Sequence, residues 1–142
     1  MNLHLTKAKL AAFMRSATLV LSLLVTHLPQ LIVPAMADGS IGINGGVLAD
    51  TGAFHVEFIG GATYALMMFA VSDERQKPVP ARGISAYAIV AQNGQTTRLR
   101  LSPEADNVLA AMPTLPLMTG ATVLVVAKLA TGETLKARFV SP

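Results

Sequence analysis

The sequence predicts an all-β domain: an antiparallel β-sandwich, Ig-like in the loose sense, of about seven strands, with a small β-barrel as the alternative. Three observations carry this. Apolar residues recur at every second position over several short runs. Turn dipeptides separate the runs, with Gly60-Gly61, Asn93-Gly94 and Thr131-Gly132 among them. No long helical period is present, so crossed βαβ units and a parallel sheet are not expected.

The first strand runs through Phe54, Val56 and Phe58, which alternate with His55 and Glu57. Gly60-Gly61 turns the chain, and Thr63 to Val71 returns as a strand apolar on both faces. Ser72 to Gly83 is a polar loop carrying Pro78 and Pro80. Ile84 to Ala91 is the next strand, and Asn93-Gly94 turns it because both residues tolerate positive φ. In Thr96 to Leu101, Thr97, Leu99 and Leu101 point inward while Arg98 and Arg100 point to solvent. A one-residue slip would bury both arginines, so the register is well specified. Ser102-Pro103-Glu104-Ala105 has the pattern of a helix start, with Ser102 as N-cap and Pro103 at the first helical position. Asn107 to Met112 reads as a short strand before the breakers Pro113 and Pro116. Ala121 to Leu129 and Thr134 to Val140 form the last hairpin, with Lys136 and Arg138 outward.

Residues 1–37 read as a secretory signal peptide. Lys7, Lys9 and Arg15 precede an apolar run, Ala17 to Val25, and Ala35-Met36-Ala37 offers small residues at the cut. Cleavage after Ala35 and an uncleaved anchor are the alternatives; a spanning helix needs roughly 20 apolar residues, about twice this run. Residues 38–46 then read as a flexible glycine-rich arm and 47–142 as the β-domain. The formal charge of +3 belongs to the leader. From Asp38 onward, eight Lys and Arg balance eight Asp and Glu, which argues against nucleic-acid binding. The leader places the domain in the periplasm, and no stable membrane anchor is expected after cleavage. The chain has no cysteine, which excludes thiol redox chemistry, thiolate zinc sites and lipidation at the leader.

His55 is the only histidine after the leader. A Ser-His-Asp triad would have to use it, yet no serine lies in a G-x-S-x-G elbow, so an enzyme is not expected. A metal site is the stronger chemical reading. His55 and Glu57 share one strand face at i, i+2, and Met112 and Met118 in the irregular stretch can add thioethers. Soft sulfur with one imidazole suits Cu(I); Zn is the other candidate ion. Met67 and Met68 also carry sulfur but sit in an apolar strand, where methionine fills cores. Gly39, Gly42, Gly45 and Gly46 lack the Lys-Ser/Thr and helix of a phosphate loop. The acid pairs Asp73-Glu74 and Glu104/Asp106 are explained by solvated charge and capping.

The order of the pieces carries a resemblance. It runs Asn44-Gly45-Gly46-Val47, then Phe54-His55-Val56-Glu57-Phe58, then Ser72-Asp73 and Lys77-Pro78-Val79, then Asp106-Asn107-Val108-Leu109. This resembles a family of small exported proteins and domains of Gram-negative envelopes, whose core reads roughly H-G-G, Y-H-x-E-L, T-D-x-x-G-K-P-V and D-N-x-L. Relatives in that family often accompany heavy-metal efflux and resistance systems. Two positions depart from the pattern: Asn44 replaces the leading histidine, and Gln76 stands where the turn has its glycine. The resemblance implies a periplasmic, non-enzymatic binding module that takes a metal ion or serves heavy-metal efflux. His55 and Glu57 are the positions that match. The alternative is a structural or adaptor protein of the envelope, without a metal site, that binds a protein partner such as an efflux component.

Overall fold

The alternating runs become nine strands: β1 Ala35–Ile41, β2 Val47–Asp50, β3 Phe54–Phe58, β4 Met67–Asp73, β5 Ser85–Gln92, β6 Gln95–Ala105, β7 Val108–Ala111, β8 Thr122–Lys128 and β9 Thr134–Val140. The computed structural model describes residues 34–60 and 66–142, and among them there is no helix. The signal-peptide reading of the leader therefore lies almost wholly outside the described residues, as does most of the Gly60-Gly61 turn.

The strands hydrogen-bond in the order β1-β2-β3-β4-β7-β6-β5-β8-β9. Ala35 and Met36 then pair with Ala137 and Arg138, so β1 meets β9 in parallel and closes a barrel. All other neighbours are antiparallel. The all-β expectation holds, and the architecture is the barrel alternative rather than a seven-stranded sandwich. Two strands make the difference. β6 pairs with β5 through Gln95–Leu101, then bends at Ser102 and pairs with β7. β1 pairs with β9 at its start and with β2 from Ala37 onward. Each carries a register shift, and a bulged strand can turn a corner between two sheets.

Those corners account for the local differences from expectation. Ser102–Ala105 is the second half of β6 and not a helix start. Ser102 and Pro103 lie opposite Ala110 and Leu109. Leu109 is fully buried, so pairing that seats it overrides a local capping signal. Pro103 sits beside the irregularity, where its missing N–H is tolerated. Residues 38–46, expected as a flexible arm, hold most of β1 and the turn into β2. The sequence Asp38-Gly39-Ser40 has poor strand propensity, and it falls in the register shift between the Ala37–Ala49 and Ile41–Val47 pairs.

The inward side chains form one core. Phe58, Phe69 and Phe139 bring three strands together, with ring centroids 5.1, 5.7 and 6.0 Å apart. Val56, Val71, Leu109, Val123 and Val125 pack around them. Truncating a phenylalanine here would cost about 3–5 kcal/mol. The Asn93-Gly94 turn has φ of 50° and 71°, and it sets Gln92 opposite Gln95. That fixes the alternation of β6 toward its middle as expected, with Leu101 buried, Leu99 half-buried and Arg98 and Arg100 exposed, whereas Thr97, expected inward, is exposed near the hairpin end.

Candidate functional site

The outer surface of the barrel divides by charge, and the two halves place the sequence's candidate residues very differently. On one side, β3 sets Val56 and Phe58 into the core and turns His55 and Glu57 outward. Glu57 is nevertheless buried, at 3% exposure. Its carboxylate accepts the Asn44 backbone N–H at 2.9 Å, the Asn44 side-chain amide at 2.9 Å and the Gly46 N–H at 2.8 Å. The β1–β2 turn wraps this carboxylate closely. A Cβ on Gly42 would lie 2.2 Å from the Glu57 carboxyl carbon, and one on Gly46 would lie 2.2 Å from the Phe58 carbonyl oxygen. A carboxylate bonded by three N–H groups is well satisfied without a cation.

His55 lies opposite Asp50 on β2 and Ser72 on β4. Its Nδ1 is enclosed and has no hydrogen-bond partner. Asp38 lies within electrostatic reach. The Ser40 backbone N–H, at 2.8 Å, and the Ser40 side chain hold the Asp38 carboxyl below the usual carboxylate range, and the charge of His55 adds to this.

The two methionines do not join this cluster. Ala111 lies opposite Met67 and His55 opposite Ser72, so β4 separates Met112 from His55 by roughly 20 Å along its length. Met112 is 71% exposed. Met118 lies on the β5–β6 hairpin instead. Its sulfur accepts the Asn93 amide at 2.9 Å, and its N–H donates to the Gln92 side chain at 3.0 Å. The structure thus brings His55 and Glu57 onto one strand face and separates Met112 and Met118 from them. Among the described residues, no group of three or more His, Asp or Glu side chains is arranged to hold a metal ion.

The remaining motif residues tie loops to strands. Asp73 Oδ1 accepts the N–H groups of Arg75 and Lys77, at 2.9 and 2.8 Å. Gln76 lies inside this turn with φ of 61°, at the position where the resembling pattern has glycine. The Asn107 backbone carbonyl accepts the Val71 N–H at 3.0 Å, and its side-chain amide donates to the Val71 carbonyl at 3.2 Å. Ala81 N–H donates to the Asp106 carbonyl at 2.7 Å. These contacts explain the short motifs by the fold they hold.

The other half of the barrel carries the positive charge. The strand order β6-β5-β8-β9 sets Arg98, Arg100, Lys128, Lys136 and Arg138 on one outer face. No acid occupies an outward position in β5, β8, β9 or the Gln95–Leu101 part of β6; Glu133 stands in the β8–β9 turn. Two cross-strand rows organise the face. One runs Arg100, Tyr87, Val126, Lys136; the next runs Arg98, Ile89, Leu124, Arg138. Apolar side chains therefore fill the centre and cations flank both sides, across roughly 14 Å. The Arg98 guanidinium lies over the Tyr87 ring at 3.7 Å from its centroid, which fixes its plane. A depression of about 370 Å³ opens beside it, lined by Ser85, Tyr87, Arg98 and Arg100.

The sequence marked Arg98, Arg100, Lys136 and Arg138 as outward but did not mark them as neighbours, and it left Lys128 without a face. Their only signal was matched alternation in two hairpins, and the β5–β8 pairing that joins the hairpins is not local. A groove of about 710 Å³ lies elsewhere; Pro78, Pro80 and Pro103 line it with Arg82, Glu104 and Asp106. No family model, curated protein or solved structure matches the chain.

Proposed function

We propose that the chain is a non-enzymatic binding module of the Gram-negative periplasm, an accessory of envelope systems that works by surface contact. The observation that carries this is the β6-β5-β8-β9 face, which gathers five cations around an apolar centre with no acid on β5, β8, β9 or the Gln95–Leu101 part of β6. Such a face favours an anionic partner and raises its rate of encounter. The resemblance to proteins that accompany heavy-metal efflux supports a place beside such a system. The test is retention at low salt on immobilised poly-glutamate and on poly-lysine. Retention by poly-glutamate alone, lost in Lys136→Gln/Arg138→Gln, is the expected result. Equal behaviour on both resins would sink the reading.

One observation favours a second reading, metal binding at His55. The enclosed Nδ1 lacks a hydrogen-bond partner, and Asp50 lies directly across the strand pair. Calorimetry with Cu and Zn, on wild type and His55→Ala, tests it. Absence of heat from both ions in the wild type retires this reading.

A further inference from the structure

We infer that the β6-β5-β8-β9 face docks on an anionic phospholipid bilayer; this rests on the binding-module reading and names its partner. Three features select a bilayer. First, the charge is spread on both flanks of a sheet face, with Arg98 and Arg100 on one side and Lys136 and Arg138 on the other. A plane of lipid phosphates can meet both flanks at once, and guanidinium groups match phosphate oxygens in bidentate fashion. Second, the centre is apolar, with Ile89, Leu124 and Val126 between the cations. Amphipathic faces of this kind lie at the headgroup boundary, with cations at the phosphates and apolar groups beneath.

Third, the apolar character grows toward the β9–β1 margin. Met36 lies opposite Arg138 and is 61% exposed, and Val140 is 53% exposed. The chain reaches β1 at this same margin, ten residues after the apolar run Ala17 to Val25. The margin at which β1 begins therefore carries the charge and the exposed apolar groups that suit a lipid surface.

The experiment uses the full chain and measures co-sedimentation with two kinds of vesicle. One is phosphatidylcholine; the other is phosphatidylcholine with one-third phosphatidylglycerol. The quantity read is the ratio of partitioning between them, at an ionic strength of about 0.1 M. A preference for the anionic vesicles is expected. Each cation removed from the face should lower the ratio about fivefold, so Arg98→Gln/Arg100→Gln loses about 25-fold. The leader variant Lys7→Gln/Lys9→Gln/Arg15→Gln should retain the preference, as should Arg75→Gln/Lys77→Gln in the β4–β5 loop. Raising the salt on wild type gives a readout that needs no variant: the preference should fall steadily.

Equal ratios for wild type and the arginine variant overturn the proposal. So does loss of the preference in the leader variant alone. Displacement by inorganic phosphate beyond that of sodium chloride at matched ionic strength would assign the face to free phosphate, and also overturns it. If vesicles are not bound but poly-glutamate is, the lipid partner is wrong and the binding module stands. If neither is bound, both fail.

Discussion

The Glu57 carboxylate accepts both the backbone N–H and the side-chain amide of Asn44, thirteen residues earlier in the chain, each at 2.9 Å. With the Gly46 N–H it forms a buried, charge-assisted cluster that fastens the β1–β2 turn to β3. Hydrogen bonds to a charged group contribute about 1.5–3 kcal/mol, and a buried donor left without a partner costs more than its bond was worth. Glu57→Ala should therefore lower the unfolding free energy by about 3 kcal/mol. Chemical denaturation at neutral pH measures this. Asn44→His should lose less than Asn44→Ala, because an imidazole N–H can replace the amide donor.

Gly42 and Glu57 should also be coupled. A Cβ at residue 42 meets the Glu57 carboxyl at 2.2 Å, so Gly42→Ala forces the turn away from β3. Overpacking of this kind costs about 1–3 kcal/mol. In a Glu57→Ala background the obstacle is gone, and Gly42→Ala should then cost far less. A double-mutant cycle by denaturant unfolding reads the difference; strictly additive effects would refute the contact.

Much of the barrel was legible because alternation is a local signal. Thr97, Leu99 and Leu101 against Arg98 and Arg100 set β6 from sequence, and Asn93-Gly94 set its turn. Closure was not legible. It depends on β6 changing neighbours at Ser102 and on β1 pairing with β9 about 100 residues away. Neither β1 nor β2 carries enough apolar alternation to be read alone. The candidate site divides the same way. His55 and Glu57 at i, i+2 necessarily share a face, and they do. That Glu57 is already bonded to Asn44, and that Met112 lies at the far end of β4, follow from turn geometry and register across strands.

Gln76 holds a left-handed conformation, φ 61°, within the turn that Asp73 caps. That conformation costs a residue with a Cβ about 1–2 kcal/mol, which glycine avoids. Glycine also loses more entropy on folding, about 0.4–1 kcal/mol. The balance predicts that Gln76→Gly raises stability by about 0.5–1 kcal/mol. Thermal unfolding should show a midpoint a few degrees higher, and a lower midpoint would contradict the strain.

The ionisation of Asp38 should depend on its neighbours Ser40 and His55. Ser40 and, more weakly, His55 hold the Asp38 carboxyl below its ordinary value. A carboxylate depressed in the folded state adds stability above its unfolded pKa, and that contribution is lost as pH falls through the folded pKa. The window is therefore acidic, below the usual carboxylate range. In His55→Ala, the Asp38 carboxyl resonance should titrate at a higher pH than in wild type, by NMR. Ser40→Ala, which removes the side-chain contribution, should move it upward as well.

The last prediction concerns closure. Ala35 and Met36 pair with Ala137 and Arg138, and no other strand covers that side of β9. A chain beginning at Asp38 lacks both residues and, with Ala37, the Ala37–Ala49 pair, but keeps the Ile41–Val47 pair and the Asp38–Ser40 bond. Each backbone hydrogen bond lost is worth about 1 kcal/mol net, so the shorter chain should be less stable by about 1–2 kcal/mol than one beginning at Ala35. The loss should be local. Amide exchange should quicken around Ala137 and Arg138 in β9, while the β5–β6 hairpin keeps its protection. Because an unpaired β9 presents a free edge, the shorter chain should also associate with itself more readily, which analytical ultracentrifugation can measure. Unchanged exchange at Ala137 would show that β1 does not close the barrel in solution.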